Sequence, residues 1–379
     1  MQLDSPVPSN TQASPELYVG VMSGTSLDGI DAALVQIVPG AAPRLLSKHS
    51  AAFEPQLRSQ LLHLASGGAT SLRELGQADI GVARAYAAVI TALLQNAGVA
   101  PSQVRAAGCH GQTVHHEPVG DARFTLQLGD PNTMAVLTGV AVVADFRRRD
   151  MALGGQGAPL APGFHDRVFR HPERTRVVLN LGGIANISVL VPGQPCWGAD
   201  TGPANILMDA WIHQHLGLSF DADGGWAASG SVQPALLEAL LDDAYFAAPA
   251  PKSTGREHFN LSWLQSRLQR LGTAFAPQDV QATLLELTAR TVAQALPGGG
   301  GDLIVCGGGA LNGRLLARLS ALAAGWQVDT TASLGIDPQL VEAVAFAYFA
   351  SRTCSGLPAN LPIVTGASRE CLLGAVYLP

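Results

Sequence analysis

With 379 residues, 47% of them hydrophobic and 14% charged, the chain is too long for one comfortable core and predicts two compact domains with little disorder. A net charge of -6, with no basic run longer than Arg147–Arg149, excludes the electrostatic footprint of a nucleic-acid-binding protein. Five scattered cysteines without a CxxC pair fit reduced thiols in a cytoplasm better than a disulfide framework or a zinc site, and no apolar run approaches the roughly 18 residues of a membrane span.

The opening MQLDSPVPSNTQASP lacks a basic region and an apolar stretch, so it reads as a loose tail and not as a signal peptide. From Gly20 to Val35, GVMSGTSLDGIDAALV reads as a strand (Leu17–Met22), a tight turn and a second strand (Ile30–Ile37). Glycines in that turn let the backbone approach a phosphate closely, Ser23, Thr25 and Ser26 offer hydroxyl donors, and Asp28 or Asp31 can hold a metal through water. Taken alone, the turn reads equally well as an ordinary glycine-rich hairpin.

Phe53–Gly68 reads as a short helix, and Ser71 with Glu74 forms a capping box for a longer one, whose apolar positions Ile80, Val82, Ala83, Tyr86, Val89, Ile90, Leu93 and Leu94 follow helical spacing up to Gly98. A strand over Val104–Cys109 runs into GCHGQTVHHEP, which places Cys109, His110, Gln112 and Thr113 at a strand exit, where open α/β sheets bind ligands. The spacing of Cys109, His110, His115 and His116 matches no standard zinc arrangement and reads as a polar, substrate-facing loop. Asp130 and Pro131 cap a helix to Thr138, and a buried strand over Val140–Ala144 ends at Asp145 and Arg147, a pair that faces either a ligand or plain solvent. Met151–His165 is too rich in Gly and Pro for regular structure and reads as a crossing between domains.

Val177–Leu190 repeats the strand, Gly-Gly turn and strand pattern and suggests an internal duplication. In the following GADTGPANILMDAWIHQHLG, Pro203 suits the first position of a helix, so Asp200, Thr201 and Gly202 are expected at a helix N-terminus, either as caps or as an anion site. PKSTGREHFN, from Pro251, is a polar loop long enough to be functional. After a helix over Pro277–Leu296 and a strand over Asp302–Cys306, Gly307, Gly308 and Gly309 allow close approach of a flat or phosphorylated ligand, although the pattern is neither GxGxxG nor GxxxxGKS. Glu342 lies on a largely apolar helix over Val341–Arg352, and the C-terminal GASRECLLGAVYLP reads as a small-residue helix and a strand.

In this order MSGTSLDGID, GCHGQTVHHEP, ADFRRRDMALGGQGAPL, LNLGGIANIS, DTGPAN, PKSTGREHFN, VCGGGALN and VEAVAFA together resemble the anhydro-N-acetylmuramic acid kinase family of the actin-like and sugar-kinase ATPase superfamily. The resemblance implies an α/β fold of two similarly folded actin-like (ribonuclease H-like) ATPase domains with a cleft between them. It divides the chain into a tail at 1–15, a first domain at 16–145 plus about 364–379, and a second domain at 146–363. It also implies hydrolytic opening of a 1,6-anhydro amino sugar coupled to phosphorylation of its 6-oxygen by ATP with Mg²⁺ during peptidoglycan recycling, in the cytoplasm, without nucleic-acid or membrane partners and with a possible homodimer. An open-sugar kinase and a nucleotide-gated binding protein are the alternatives.

Carried onto this sequence, Asp200 resembles the general base for the attacking water, with Glu342 as a supporting carboxylate. Gly24, Thr25, Ser26, Leu27, Asp28, Gly29, Ile30 and Asp31 would wrap the phosphates, and Thr201, Gly202 and Asn205 would meet the γ-phosphate. Gly307, Gly308, Gly309 and Asn312 would sit near the adenosine, and Gln112, Asp145 and Arg147 are the sugar-contact candidates. Where the family pattern reads DTGPGN, Ala204 stands here, and a positive φ at that position would strain it by roughly 1 kcal/mol or more.

Overall fold

A computed structural model describes residues 14–24 and 27–379. Strands β1 (Glu16–Met22), β2 (Ile30–Ile37) and β3 (Arg44–Ala51) form an antiparallel meander. Strand β4 (Val104–Cys109) returns parallel to β1, β5 (Gln112–Glu117) and β6 (Phe124–Leu128) pair as a hairpin, and β7 (Val142–Ala144) runs parallel to β4. The second half repeats the plan. Strands β8 (Arg176–Leu181), β9 (Ile184–Leu190) and β10 (Trp197–Pro203) form a meander, β11 (Gly301–Cys306) runs parallel to β8, and β12 (Trp326–Thr330) runs parallel to β11. Strand β13 (Ala375–Tyr377) returns to the first sheet beside β7.

The sheet orders β13-β7-β4-β1-β2-β3 and β10-β9-β8-β11-β12 therefore share one sequence of neighbours, read outward from each meander. This is the α/β class with two similarly folded units that the two hairpins led us to expect.

Both faces of the first sheet are covered, which is why its central strands are apolar on both sides. Val19, Val21, Ile30, Ala32 and Leu34 meet the helix Leu72–Ala97, which buries Val82, Ala83, Tyr86, Ile90 and Leu93. That helix starts at the expected capping box and ends at Gly98, whose φ of 65° is left-handed. By length and composition it is apolar enough to cross a membrane, yet this apolar stripe belongs to the core. On the other face, Tyr18, Ala33, Val35 and Val143 meet the helix Val341–Cys354 through Val344, Phe346, Ala347 and Ala350. The stretch 146–363 thus contains a helix that packs on the first sheet.

Three local expectations change. Gln112–Glu117 is a strand and not a loop, because Phe124–Leu128 supplies it with a pairing partner. Met151–His165 is irregular only at its centre, between the helices Arg148–Ala152 and Ala161–Val168. The centre is tied down by Gln156 N, which donates to Thr365 O (2.8 Å), and by the buried Asp150 carboxylate, which accepts from Gly157 N (2.9 Å) and, from far downstream, Asn360 Nδ2 (2.8 Å) and Thr365 Oγ1 (2.7 Å). No helix follows Gly366; a four-residue helix, Pro362–Thr365, precedes it instead, and the left-handed φ of 78° at Gly366 ends it.

Candidate active site

The first turn is held from beneath. Ser23 Oγ donates to Gln112 Oε1 at 2.7 Å and lies 2.6 Å from the Tyr86 hydroxyl, while Gln112 Nε2 donates to Gly24 O at 3.3 Å. Gln112 is buried, and its amide shapes the turn. Leu27 and Ile30 are core residues; Leu27, at φ 57°, closes the turn through its N–H on Gly24 O (3.1 Å) and accepts Arg58 Nε on its own carbonyl (2.9 Å). Asp28 is exposed, Asp31 accepts Ser50 Oγ at 2.6 Å, and a side chain at Gly29 would press on Ala51 O at 3.2 Å. Thr25 and Ser26 lie outside the described residues.

Asp145 and Arg147 diverge. Asp145 turns with Arg148, 3.6 Å away, into a polar cavity of about 380 Å³ that Asp79, Gln127, Asp130 and Tyr377 also line, and burial raises its carboxyl. Arg147 instead donates through Nε (3.0 Å) and Nη2 (2.8 Å) to His110 Nε2 and through Nη1 (2.8 Å) to Gly157 O. Burial lowers its guanidinium to about 10, and the charge of Glu342 works against that fall. Solvent reaches Glu342, but the surrounding protein raises its carboxyl, with Arg147 opposing and Asp31 reinforcing the shift. Glu342, Arg147 and Asp31 therefore share one electrostatic neighbourhood at the start of the Val341 helix.

Asp200 sits in β10, opposite Asn186, and not at a helix start. The helix begins at Asn205, and its first amides are already used: Ala204 N and Ile206 N donate to Gly183 O, and Asn205 N donates to Gly182 O. The Gly-Gly turn between β8 and β9 takes the place of an anion. Thr201 is buried with its hydroxyl on Ala185 O (3.3 Å), and Gly202, at φ 141°, forms the irregular step that lets β10 run up to the helix. Ala204 has φ -112°, so the position does not demand glycine by a positive φ.

The PKSTGREHFN loop folds over Asp200. Thr254 N donates to Asp200 Oδ2 (2.9 Å), Asp200 N donates to Lys252 O (2.9 Å), and the Tyr245 hydroxyl donates to Asp200 O (2.8 Å). Burial raises the Asp200 carboxyl, the Thr254 amide opposes this and the charge of Glu257 adds to it. One carboxylate oxygen is fixed by the loop, and the other has no hydrogen-bond donor among the described residues.

Asn205 brings two further elements together: Nδ2 donates to Leu181 O (3.0 Å), and its amide borders Gly308 and Gly309. A side chain at Gly307, whose φ is 83°, would fall 2.4 Å from Asn180 Oδ1, so this loop has no room for one. Asn312 caps the helix Gly313–Leu322 through Leu315 N (3.0 Å), while Asp223 accepts Gly313 N (2.7 Å). The sequence reading missed Asp209. It lies one helical turn after Asn205, a spacing that puts both on one face and was the available signal. Burial, Asp28 and Asp221 raise its carboxyl to about 7, which couples the first turn to the second unit.

Residues 16–379 match the family described as anhydro-N-acetylmuramic acid kinase. The chain is 49% identical over 372 residues to the anhydro-N-acetylmuramic acid kinase of Photobacterium profundum, covering 96% of this chain and 98% of that protein. It is 50% identical over 364 residues to the anhydro-N-acetylmuramic acid kinase of Pasteurella multocida, covering 95% and 96%. With these matches spanning both units and every motif above, the chain belongs to the anhydro-N-acetylmuramic acid kinase family.

Proposed function

We propose that this kinase uses Asp200 to activate the water that opens the 1,6-anhydro bond of anhydro-N-acetylmuramic acid, and transfers the γ-phosphoryl group of ATP to the 6-oxygen so released. The supporting observation is the Asp200 carboxylate itself, raised by burial, fixed at one oxygen by Thr254 N and open at the other. The open oxygen takes a proton from water as the water oxygen bonds to the anomeric carbon and the bond from that carbon to the 6-oxygen breaks. Negative charge then grows on the 6-oxygen, which attacks the γ-phosphorus as ADP leaves, so no separate deprotonation is needed. The products are the 6-phosphate, ADP and a proton, and the reaction belongs to the cytoplasm, where ATP is at hand.

Gly24 and the residues from Leu27 to Asp31 present backbone to the phosphates, with Ser23, Gln112 and Tyr86 holding Gly24 in place. The Gly307–Gly309 loop, kept free of side chains, lies beside the adenosine. Burial, with the charges of Asp28 and Asp221 adding to it, raises Asp209 to about 7, and among the described residues no three ligating side chains form a cage. That donor set fits a hydrated cation held mainly by nucleotide oxygens. Mg²⁺ bound there with ATP supplies compensation for the charge on the phosphates.

The test is ADP release with Mg-ATP in ¹⁸O-water, comparing anhydro-N-acetylmuramic acid with open N-acetylmuramic acid. ADP formed only with the anhydro sugar, and one heavy oxygen at the anomeric carbon of the 6-phosphate, is the expected result. Turnover on the open sugar alone assigns an ordinary sugar kinase instead.

A further inference from the structure

Asp200 is fastened from outside its own sheet. It stands on β10, an edge strand, and the pairing of β10 with β9 slips between Asp200 and Gly202. A slip of this kind re-aims the side chains beside it, so the sheet alone does not fix where the carboxylate points. One segment, residues 243–258, takes three polar atoms of this residue. Asp200 N donates to Lys252 O (2.9 Å), Asp200 O accepts the Tyr245 hydroxyl (2.8 Å), and Asp200 Oδ2 accepts Thr254 N (2.9 Å).

The segment is itself closed twice. At its foot Asp243 accepts Tyr245 N (3.0 Å), and the other carboxylate oxygen of Asp243 lies 3.2 Å from Nε2 of His258, at the far end. Between these, Lys252 Nζ crosses the loop and donates to Tyr245 O (2.8 Å) and Phe246 O (3.1 Å), with the ammonium 4.5 Å from the centre of the Tyr245 ring. Both carbonyls belong to the short helix Ala244–Ala247, and lysine side chains commonly bond the carbonyls at a helix end. The cation is thus spent on the backbone of its own loop, where that loop touches Asp200. Burial, with the charge of Asp200 adding to it, raises the Tyr245 hydroxyl, which therefore remains a donor.

We infer that Lys252 is a positioning residue for Asp200: its ammonium ties the Tyr245 end of the segment to the 252–254 end, so that the Tyr245 hydroxyl, Lys252 O and Thr254 N hold Asp200 together and leave Oδ1 free. The inference rests on Asp200 being the base and deepens that reading by naming what aims it. The ionisable side chains around Asp200 are Tyr245, Lys252 and Glu257. Of its neighbours, the Thr254 amide lowers the Asp200 carboxyl and Glu257 raises it. Loosening the segment weakens the Thr254 contact, so the carboxyl rises and the acid limb of kcat/KM moves to higher pH.

The experiment measures kcat, both KM values and the pH profile of the full chain with Mg-ATP and anhydro-N-acetylmuramic acid. Lys252→Met should lower kcat about 10–100-fold, the range of a reacting group misplaced by about 1 Å, with both KM values within about threefold of the parent. It should also shift the acid limb upward, which a loss of stability alone would not do. Tyr245→Phe removes one oxygen, keeps the ring against Phe246 and Phe259, and should lower kcat about 3–10-fold, the worth of one hydrogen bond. Parent-like kcat in Lys252→Met overturns the inference, as does a loss carried by KM or one that leaves the acid limb in place. Where Lys252→Met does not fold, Tyr245→Phe decides, and parent-like kcat in that variant overturns the inference. Asp200→Asn separates this inference from the reading beneath it. Normal turnover in Asp200→Asn means that Asp200 is not the base, and both fall; an inactive Asp200→Asn beside a parent-like Lys252→Met removes the positioning role alone.

Discussion

A methyl group placed on Gly20 would lie 1.8 Å from the carbonyl oxygen of Ala343, so β1 and the Val341 helix meet backbone to backbone. Gly108 makes the matching approach at Phe346, where a Cβ would fall 2.1 Å from the carbonyl oxygen. Glu342 is the residue before Ala343, and its position depends on that contact. Gly20→Ala is expected to cost about 1–3 kcal/mol and to lower kcat as the helix start is pushed away. Thermal unfolding and steady-state kinetics check this; parent-like stability and turnover would show that the contact has slack.

Asp200→Asn should lower kcat about 10²–10⁴-fold, the usual worth of a general base, and leave Mg-ATP binding intact because the side chain keeps its shape. Glu257 adds to the upward shift of the Asp200 carboxyl. A base works deprotonated, so its raised carboxyl sets the acid limb of the kcat/KM profile above the ordinary carboxylate range. Glu257→Gln should move that limb to lower pH. An unmoved limb would mean that another group sets it.

Asp209 has a folded value of about 7 against an ordinary 3.8. Below pH 3.8 both states are protonated; as pH rises toward 7 the folded chain keeps a proton that the unfolded chain releases, so stability is lost across that window. Asp209→Asn should therefore raise Tm at pH 8 by about 2 °C or more and change little near pH 3.5. Added Mg-ATP should raise Tm less in the variant than in the parent, because the repulsion it relieves is gone. A lower Tm for the variant at pH 8 would reverse the sign of this argument.

Asp243 behaves oppositely. Burial alone would raise its carboxyl, but the Trp263 indole, the Tyr245 amide and His258 hold it down at about 2. Arg267 also donates to it, at 2.7 Å. Its contribution, on the order of 2 kcal/mol, is present above pH 3.8 and is lost as pH falls through 2. Asp243→Asn should remove this part of the acid dependence in a pH series of chemical denaturation. The same residue anchors the start of the segment that folds over Asp200, so the variant should also lose turnover.

Much of this fold was legible because local signals agreed with tertiary packing. The capping box at Ser71, the Pro131 helix start and both hairpins stand where spacing and turn chemistry put them. The errors came from long-range partners. Pro203 looked like a helix start, but β9 holds it in β10, and the turn at Gly182 and Gly183 accepts the amides that would have defined an anion site. The role of Gln112 in holding the first turn had no local signal, because its partners, Ser23 and Gly24, are 89 and 88 residues away in the chain. Gly20 and Gly108 gave no turn signal because their small size serves a helix more than 230 residues downstream.

The Asp150 carboxylate has a consequence for how the molecule is made. Its donors Asn360 and Thr365 lie more than 200 residues downstream, and the covering helix Val341–Cys354 and edge strand β13 come from the same late part of the chain. On the ribosome, all five strands of the second sheet emerge before these pieces do. The unit that begins first is therefore completed last, and until residues 341–377 arrive its sheet has one bare face and a carboxylate without its donors. A truncation there removes a closing seam, and nascent chains stalled short of it should be the protease-sensitive ones.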